Sequence, residues 1–157
     1  MILHLPADAS PTGDPVADIL RNAKTIAVVG LSSNPRRPSY EVASYMRNAG
    51  YTIVPVNPNE SEVLGQKSYA RLEDVPVPID IVDVFRRPNH VPGIANSAIA
   101  VHAKVLWLQQ GIIHAEAAEK TRAAGLTVIE DGCLFVEHKL RRSELLPSRL
   151  GLRDPAD

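Results

Sequence analysis

Thr25–Ser39 reads TIAVVGLSSNPRRPS, and its first six residues decide the fold. Thr25–Gly30 is a short apolar run, rich in β-branched residues and closed by glycine, the pattern of a buried strand that ends in a tight turn. The loop behind it carries two hydroxyls, two prolines and the adjacent Arg36 and Arg37. Ser39–Asn48 then has helical spacing in Val42, Tyr45 and Met46, with Gly50 as a C-terminal stop.

The alternation repeats along the chain. Asp14 before Pro15 sets an N-cap acid ahead of a first-turn proline and predicts a short helix over Asp14–Asn22. TIVPV (52–56) predicts a second strand, although Pro55 brings no amide donor. IDIVDVF (79–85), AKVLWLQ (103–109) and LTVIE (126–130) predict three more, with helices over Val91–Val101 and Ala115–Ala124, the latter stopped by Gly125. Strands alternating with helices of about ten residues imply a parallel sheet with right-handed crossovers. Near-continuous apolar strands agree, because a parallel sheet is covered on both faces. The expected fold class is α/β: a Rossmann-like doubly wound sheet of about five parallel strands in three α/β/α layers. Residues 1–13 read as a flexible arm, 14–140 as the domain, and 141–157 as a basic tail whose leucines suit a helix docked on the domain or a partner.

Composition narrows the function classes. A chain of 157 residues with 45% hydrophobic and 22% charged residues and a net charge of -1 is an ordinary globular domain. Without global basicity, nucleic acid is not an expected partner. One cysteine makes no internal disulfide and fits a reducing compartment. The N-terminus lacks a basic start followed by a long apolar run, and no apolar stretch reaches the roughly 20 residues that span a bilayer. The expected location is the cytoplasm, away from membranes.

In an open α/β sheet, ligands sit beyond the carboxyl ends of the strands. There the unusual residues gather: GLSSNPRRPS, VNPNE, FRRPNH, LQQGI and EDGC follow the five strands in turn. The first turn feeds a helix N-terminus, which favours an anion. Arg36, Arg37, Arg86 and Arg87 lie on neighbouring loops and suit phosphate in a forked geometry. Taken singly, a strand-ending glycine is a tight turn, an Arg-Arg pair is solvated surface and Asn57-Pro58 is a turn; their collection at one edge points to a polyphosphate site. A dinucleotide fingerprint would show G-x-G-x-x-G and an acid about 20 residues on. Here Gly30 stands without the other two glycines, whose places hold Ser32 and Pro35, and the second strand ends in Val56-Asn57-Pro58. NAD is therefore disfavoured.

The segments VVGLSSNPRRPS, GYTIVPVNP, LGQKSY, DIVDVFRRP, KVLWLQQGI, EAAEKTRAAGL and EDGCLFVEH run in order from about Thr25 to His138. In these the chain resembles the small CoA-binding domain proteins, related to the N-terminal CoA-binding domain of succinyl-CoA synthetase alpha subunits. The resemblance implies that Gly30, Leu31, Ser32, Ser33, Arg36, Arg37, Pro38 and Ser39 wrap the diphosphate of coenzyme A. It implies that Val56, Asn57 and Pro58 line the adenosine region beside Phe85, Arg86 and Arg87, and that Leu108, Gln109, Gln110 and Gly111 border the pantetheine arm. Where the family usually has Asp-Arg-Cys after the fifth strand, this chain has Asp131-Gly132-Cys133. The synthetase carries its phosphorylated histidine in a second domain, which this sequence does not contain.

No other constellation assembles a nucleophile with its base. The five histidines show no metal-ligand spacing, so no metal is expected. Cys133 reads as a buried thiol, Asp80 and Asp83 as acids flanking a strand, and Trp107 as core. The expected function is binding of CoA or an acyl-CoA without catalysis of its own. The alternatives are a subunit of an acyl-CoA ligase or transferase that needs a partner chain, or a nucleotide-responsive protein-interaction module. A homodimer or an unidentified protein partner is compatible with either.

Overall fold

The computed structural model describes residues 1–9 and 13–145. Among the described residues the elements follow in the order β1 (Ile2–His4), α1 (Pro15–Asn22), β2 (Thr25–Val29), α2 (Pro38–Asn48), β3 (Thr52–Val56), β4 (Glu62–Val63), β5 (Gln66–Lys67), β6 (Ile81–Val84), α3 (Val91–Ala100), β7 (Val105–Leu108), α4 (Ala115–Ala123), β8 (Thr127–Glu130) and α5 (Leu134–Leu140). The main sheet is ordered β1-β8-β7-β6-β2-β3, and β4 and β5 form a separate small hairpin. The pairs from β3 through β8 are parallel, and β1 joins β8 antiparallel. Helices cover both faces, so the three-layer Rossmann-like α/β fold read from the sequence is the observed one.

The sheet separates two cores, one per face, as alternation along each strand requires. Ala27, Val82, Leu106 and Val128 pack against Ala95 and Ala98 of α3 and Ala118 of α4. Val28, Ile81, Trp107 and Ile129 pack against Val16 and Leu20 of α1, Val42 and Met46 of α2 and Leu134 of α5. Asp14 caps α1 as expected, its Oδ1 accepting from the Val16 amide at 3.1 Å. Its other oxygen accepts from Arg141 Nε at 2.6 Å, and Arg141 Nη1 also donates to Glu137 at 2.7 Å. The predicted basic tail is described only to Leu145, and Arg141 there is an anchor to the domain.

Two features depart from the sequence reading. Residues 1–13, expected as a flexible arm, begin with strand β1, whose register sets His4 opposite Val128. His4 Nε2 meets Glu130 Oε1 at 2.6 Å, and the buried carboxylate also accepts from the His114 amide at 2.7 Å. Pro55 does not weaken β3. Residues 52, 54 and 56 face β2, so the amide that Pro55 lacks would point away from the sheet, where Tyr69 N–H bonds the Pro55 carbonyl at 3.0 Å.

Asp83 is the anomaly of the core. It lies across from Val28 and Trp107 on the helix α1–α2–α5 face, is 0% exposed, and among the described residues neither carboxyl oxygen has a hydrogen-bond partner. Burial raises its pKa well above the ordinary 3.8. A carboxyl whose folded pKa is raised supports the fold only while protonated. Its contribution is complete below the unfolded value and is lost as pH rises through the folded value. Asp83→Asn is therefore expected to melt at a higher temperature than the parent above neutral pH, the gap closing as the pH approaches the unfolded carboxyl value. Thermal scans of both proteins across that range check this; a lower midpoint at every pH would count against a neutral Asp83.

Candidate functional site

Counting the parallel strands alone, the sheet order is second, first, third, fourth, fifth, so the chain reverses direction across the sheet between β2 and β6. Ligands in doubly wound folds bind beyond such a switch point. Here Gly30 follows β2 and Phe85 follows β6, and the two loops touch. Gly30 has φ +87°, and a Cβ on it would stand 2.8 Å from the Phe85 carbonyl oxygen and 2.9 Å from Arg86 Cδ. Its N–H donates to Val56 O at 2.8 Å, so the ends of β2, β3 and β6 meet at one residue that only glycine fills without strain.

The loop after Gly30 is held by its own polar side chains. Ser39 Oγ accepts from the Ser32 amide at 3.1 Å, Ser32 Oγ from Asn34 at 3.0 Å, and Asn34 Oδ1 from Arg36 at 3.0 Å. The β3 loop pins it from the side: Asn57 Nδ2 donates to Leu31 O at 3.0 Å, and Glu60 Oε2 accepts from the Ser33 amide at 2.7 Å. With those amides committed, the attraction for an anion falls to the arginine side chains. Arg36, Arg37, Arg86 and Arg87 make no ion pair with any carboxylate among the described residues. Arg21 and Arg122 each have one, and Arg141 has two.

Two cavities open at this edge. The larger, about 940 Å³, runs from the Gly30–Ser39 loop past Phe85, Arg86 and Arg87 to Gln109–Ile112 and to Cys133, Phe135 and Val136. The smaller, about 320 Å³, lies between the ends of β2 and β3, the turn at Leu72–Asp74 and helix α3. Arg86 lines both. The far wall of the large cavity is knitted by cross-loop bonds. Gln109 Oε1 accepts from the Leu134 amide at 3.0 Å, Asp131 Oδ1 from the Gly111 amide at 2.7 Å, and Gly132 O from Trp107 Nε1 at 2.9 Å.

Of the residues picked from sequence, Gly30, Ser32, Arg36, Arg37, Pro38, Ser39, Phe85, Arg86, Arg87, Gln109, Gln110 and Gly111 line the large cavity. Val56 and Pro58 line the small one. Leu31 and Leu108 are wholly buried, so their side chains belong to the core, and Ser33 and Asn57 hold the loop. Cys133, read from sequence as buried, is half-buried and lines the large cavity. Glu41 and Phe135 of that cavity and Arg71 and His90 of the small one were missed: Glu41 and His90 adjoin loops read from sequence, whereas the Arg71 segment meets them only in the fold. Asp80 sits at the opposite end of the sheet. Burial works to raise its pKa, but the Thr25 and Lys24 amides and Lys104 outweigh burial and hold it below the ordinary value. Among the described residues no group of three or more His, Cys, Asp and Glu could hold a metal ion, and no helix is long and apolar enough to cross a membrane.

Comparison with known proteins agrees with this geometry. Residues 24–139 match the CoA binding domain family model, and the chain belongs to that family. The uncharacterized protein YneT of Bacillus subtilis (strain 168) is 43% identical over 133 residues, covering 85% of this chain and 98% of YneT. A solved hypothetical protein from Pyrococcus horikoshii OT3 is similar with a TM-score of 0.80 and 37% identity, covering 86% of this chain and 94% of that one. The alpha subunit of an ADP-forming acetate–CoA ligase II from Pyrococcus furiosus is 35% identical over 65 residues, 41% of this chain and 14% of the subunit.

Because a side chain at Gly30 meets the protein's own Phe85 carbonyl, Gly30→Ala is expected to cost at least about 1 kcal/mol of stability, besides displacing Arg86. Chemical denaturation of the variant measures this directly. Unchanged stability would mean that the β2 and β6 loops do not approach this closely.

Proposed function

We propose that the protein binds coenzyme A or an acyl-CoA across the two cavities, with Arg86 between them, and performs no chemistry on it alone. The observation that carries the reading is the set of arginines (Arg36, Arg37, Arg86 and Arg87) without carboxylate partners among the described residues, beside two cavities that share Arg86, in a chain of the CoA-binding domain family. In this reading the diphosphate lies against Arg36, Arg37 and Arg86. The adenosine end enters the small cavity over Val56 and Pro58, and the pantetheine arm runs past Gln109, Gln110 and Gly111 toward Cys133. CoA has the negative charge to satisfy these guanidinium groups, each charge-assisted bond contributing about 1.5–3 kcal/mol. We place the protein in the cytoplasm, where CoA is used and a lone thiol stays reduced.

A second reading, a ligase subunit that acts with a partner chain, draws support from the similarity to the acetate–CoA ligase alpha subunit. The two differ in outcome: a bound acyl-CoA stays intact in the first and turns over in the second once the partner is added. Native mass spectrometry of the purified protein with CoA, followed by calorimetry, tests the binding itself; no CoA complex at millimolar ligand would end both readings.

Two results are expected from titration. CoA binds roughly tenfold or more tightly than 3′-dephospho-CoA, since one phosphate fewer leaves one charge-assisted contact unmade, and both bind more tightly than NAD, because the second strand ends in Val56-Asn57-Pro58 without the acid that holds the NAD ribose. Arg37→Ala lowers CoA affinity by about tenfold while the melting temperature stays within a degree or so, because an exposed arginine without an ion pair contributes little to folding. A variant that melts much earlier, or binds as tightly as the parent, would remove Arg37 from the site.

A further inference from the structure

Resting on the CoA reading above, we propose that Arg71 and His90 form, with Arg86, the pocket for the 3′-phosphate of the nucleotide, and so set the preference for CoA over its dephospho form. The small cavity is built for a flat ring with an anion at its rim. Val29, Val56 and Ile94 give it an apolar floor, while Arg71, Arg86 and His90 stand around it. Its one carboxylate, Glu73, is held by Ser97 Oγ at 2.9 Å, which ties the Leu72–Asp74 turn to helix α3.

Neither arginine is engaged by a strong acid. Arg71 meets Asp74 only at 3.8 Å, with 68% and 46% of the two side chains exposed, a pair too long and too solvated to hold the guanidinium in place. Arg86 is half-buried, and its partner is His90 Nε2 at 3.3 Å. An arginine has only donors, so that imidazole nitrogen is the acceptor and brings no negative charge. A half-buried cation whose hydrogen-bond partner brings no negative charge is a site lacking its anion. A phosphomonoester has the charge and the acceptor oxygens to bridge Arg71 and Arg86 with His90 beside them. The diphosphate is taken up on the other side of Arg86 by Arg36 and Arg37, so the phosphate left for this rim is the one on the ribose.

The test is calorimetric titration of the full chain, parent and Arg71→Ala, with CoA and with 3′-dephospho-CoA, and with Arg71→Lys as the charge-keeping control. Arg71→Ala is expected to weaken CoA about tenfold and to leave dephospho-CoA within twofold of the parent, and Arg71→Lys to recover most of the preference. Equal weakening of both ligands, or unchanged CoA affinity in a variant that melts like the parent, overturns the assignment. Failure of the parent to bind CoA at all strikes down the reading of the whole site and this pocket with it. A parent that binds CoA beside an Arg71→Ala variant with an undiminished preference strikes down only the pocket.

Discussion

The organisation of the site depends on one close approach, the passage of the Gly30 backbone beneath the Phe85 carbonyl. There the first and third parallel strands part company, and a single methyl group would force them apart. Because the Gly30 amide is bonded to Val56, the end of β3 is fixed to the same point. Three loops thus leave from positions determined by the sheet itself, and the side chains they carry are aimed by a rigid base instead of by their own flexible backbone. Arg86, the residue after Phe85, consequently stands on the ridge between two cavities.

Charge is distributed around this base unevenly. The chain is close to neutral, yet its acids and bases are not paired at random. Away from the cavities, Arg141 joins Asp14 and Glu137, and Arg122 joins Glu119, so that helix ends and the start of the domain are fastened together. At the large cavity Arg36, Arg37, Arg86 and Arg87 have no carboxylate partner among the described residues, while the loop amides that could have served an anion are occupied by serine, asparagine and Glu60. Backbone polarity is used to shape the loop, and side-chain charge is reserved for whatever enters. Such a division suits an extended ligand whose phosphates are spaced apart, since arginines on separate loops can reach positions that one turn of backbone cannot.

The order of strands and helices was legible because each strand is a continuous apolar run and each crossover helix has its own cap or glycine stop. Strand β1 was not: three residues have no periodicity to read, and their place depends on His4 reaching Glu130, 126 positions away. The edge that carries the site was legible for the same topological reason as the fold, and the four loop arginines followed from it. Which way a side chain turns was harder. Leu31 and Leu108 adjoin the loops but point into the sheet's cores, and Asp83, read in sequence as an acid flanking a strand, lies within β6 and is turned by its register toward Val28 and Trp107. The wall at Cys133 depends on a left-handed Asp131, φ 55°, and on the Trp107–Gly132 hydrogen bond, neither of which local pattern can foretell. Arg71 lay beyond reach for a related reason, since its segment meets helix α3 only in the folded chain.

Both margins of the sheet offer little for another strand to pair with, and this bears on assembly. On one side β1 is only three residues long and runs antiparallel to the rest. On the other, the outward positions of β3 are Ile53, which is free to pair, and Pro55, which has no amide; beyond the strand, the Asn57 N–H is taken by Tyr69. A neighbouring chain finds almost no run of donors and acceptors along which to add a strand. Copies of this protein, or a larger enzyme built around it, would have to associate through helix faces and loops, leaving the hydrogen-bonded sheet of each unit self-contained.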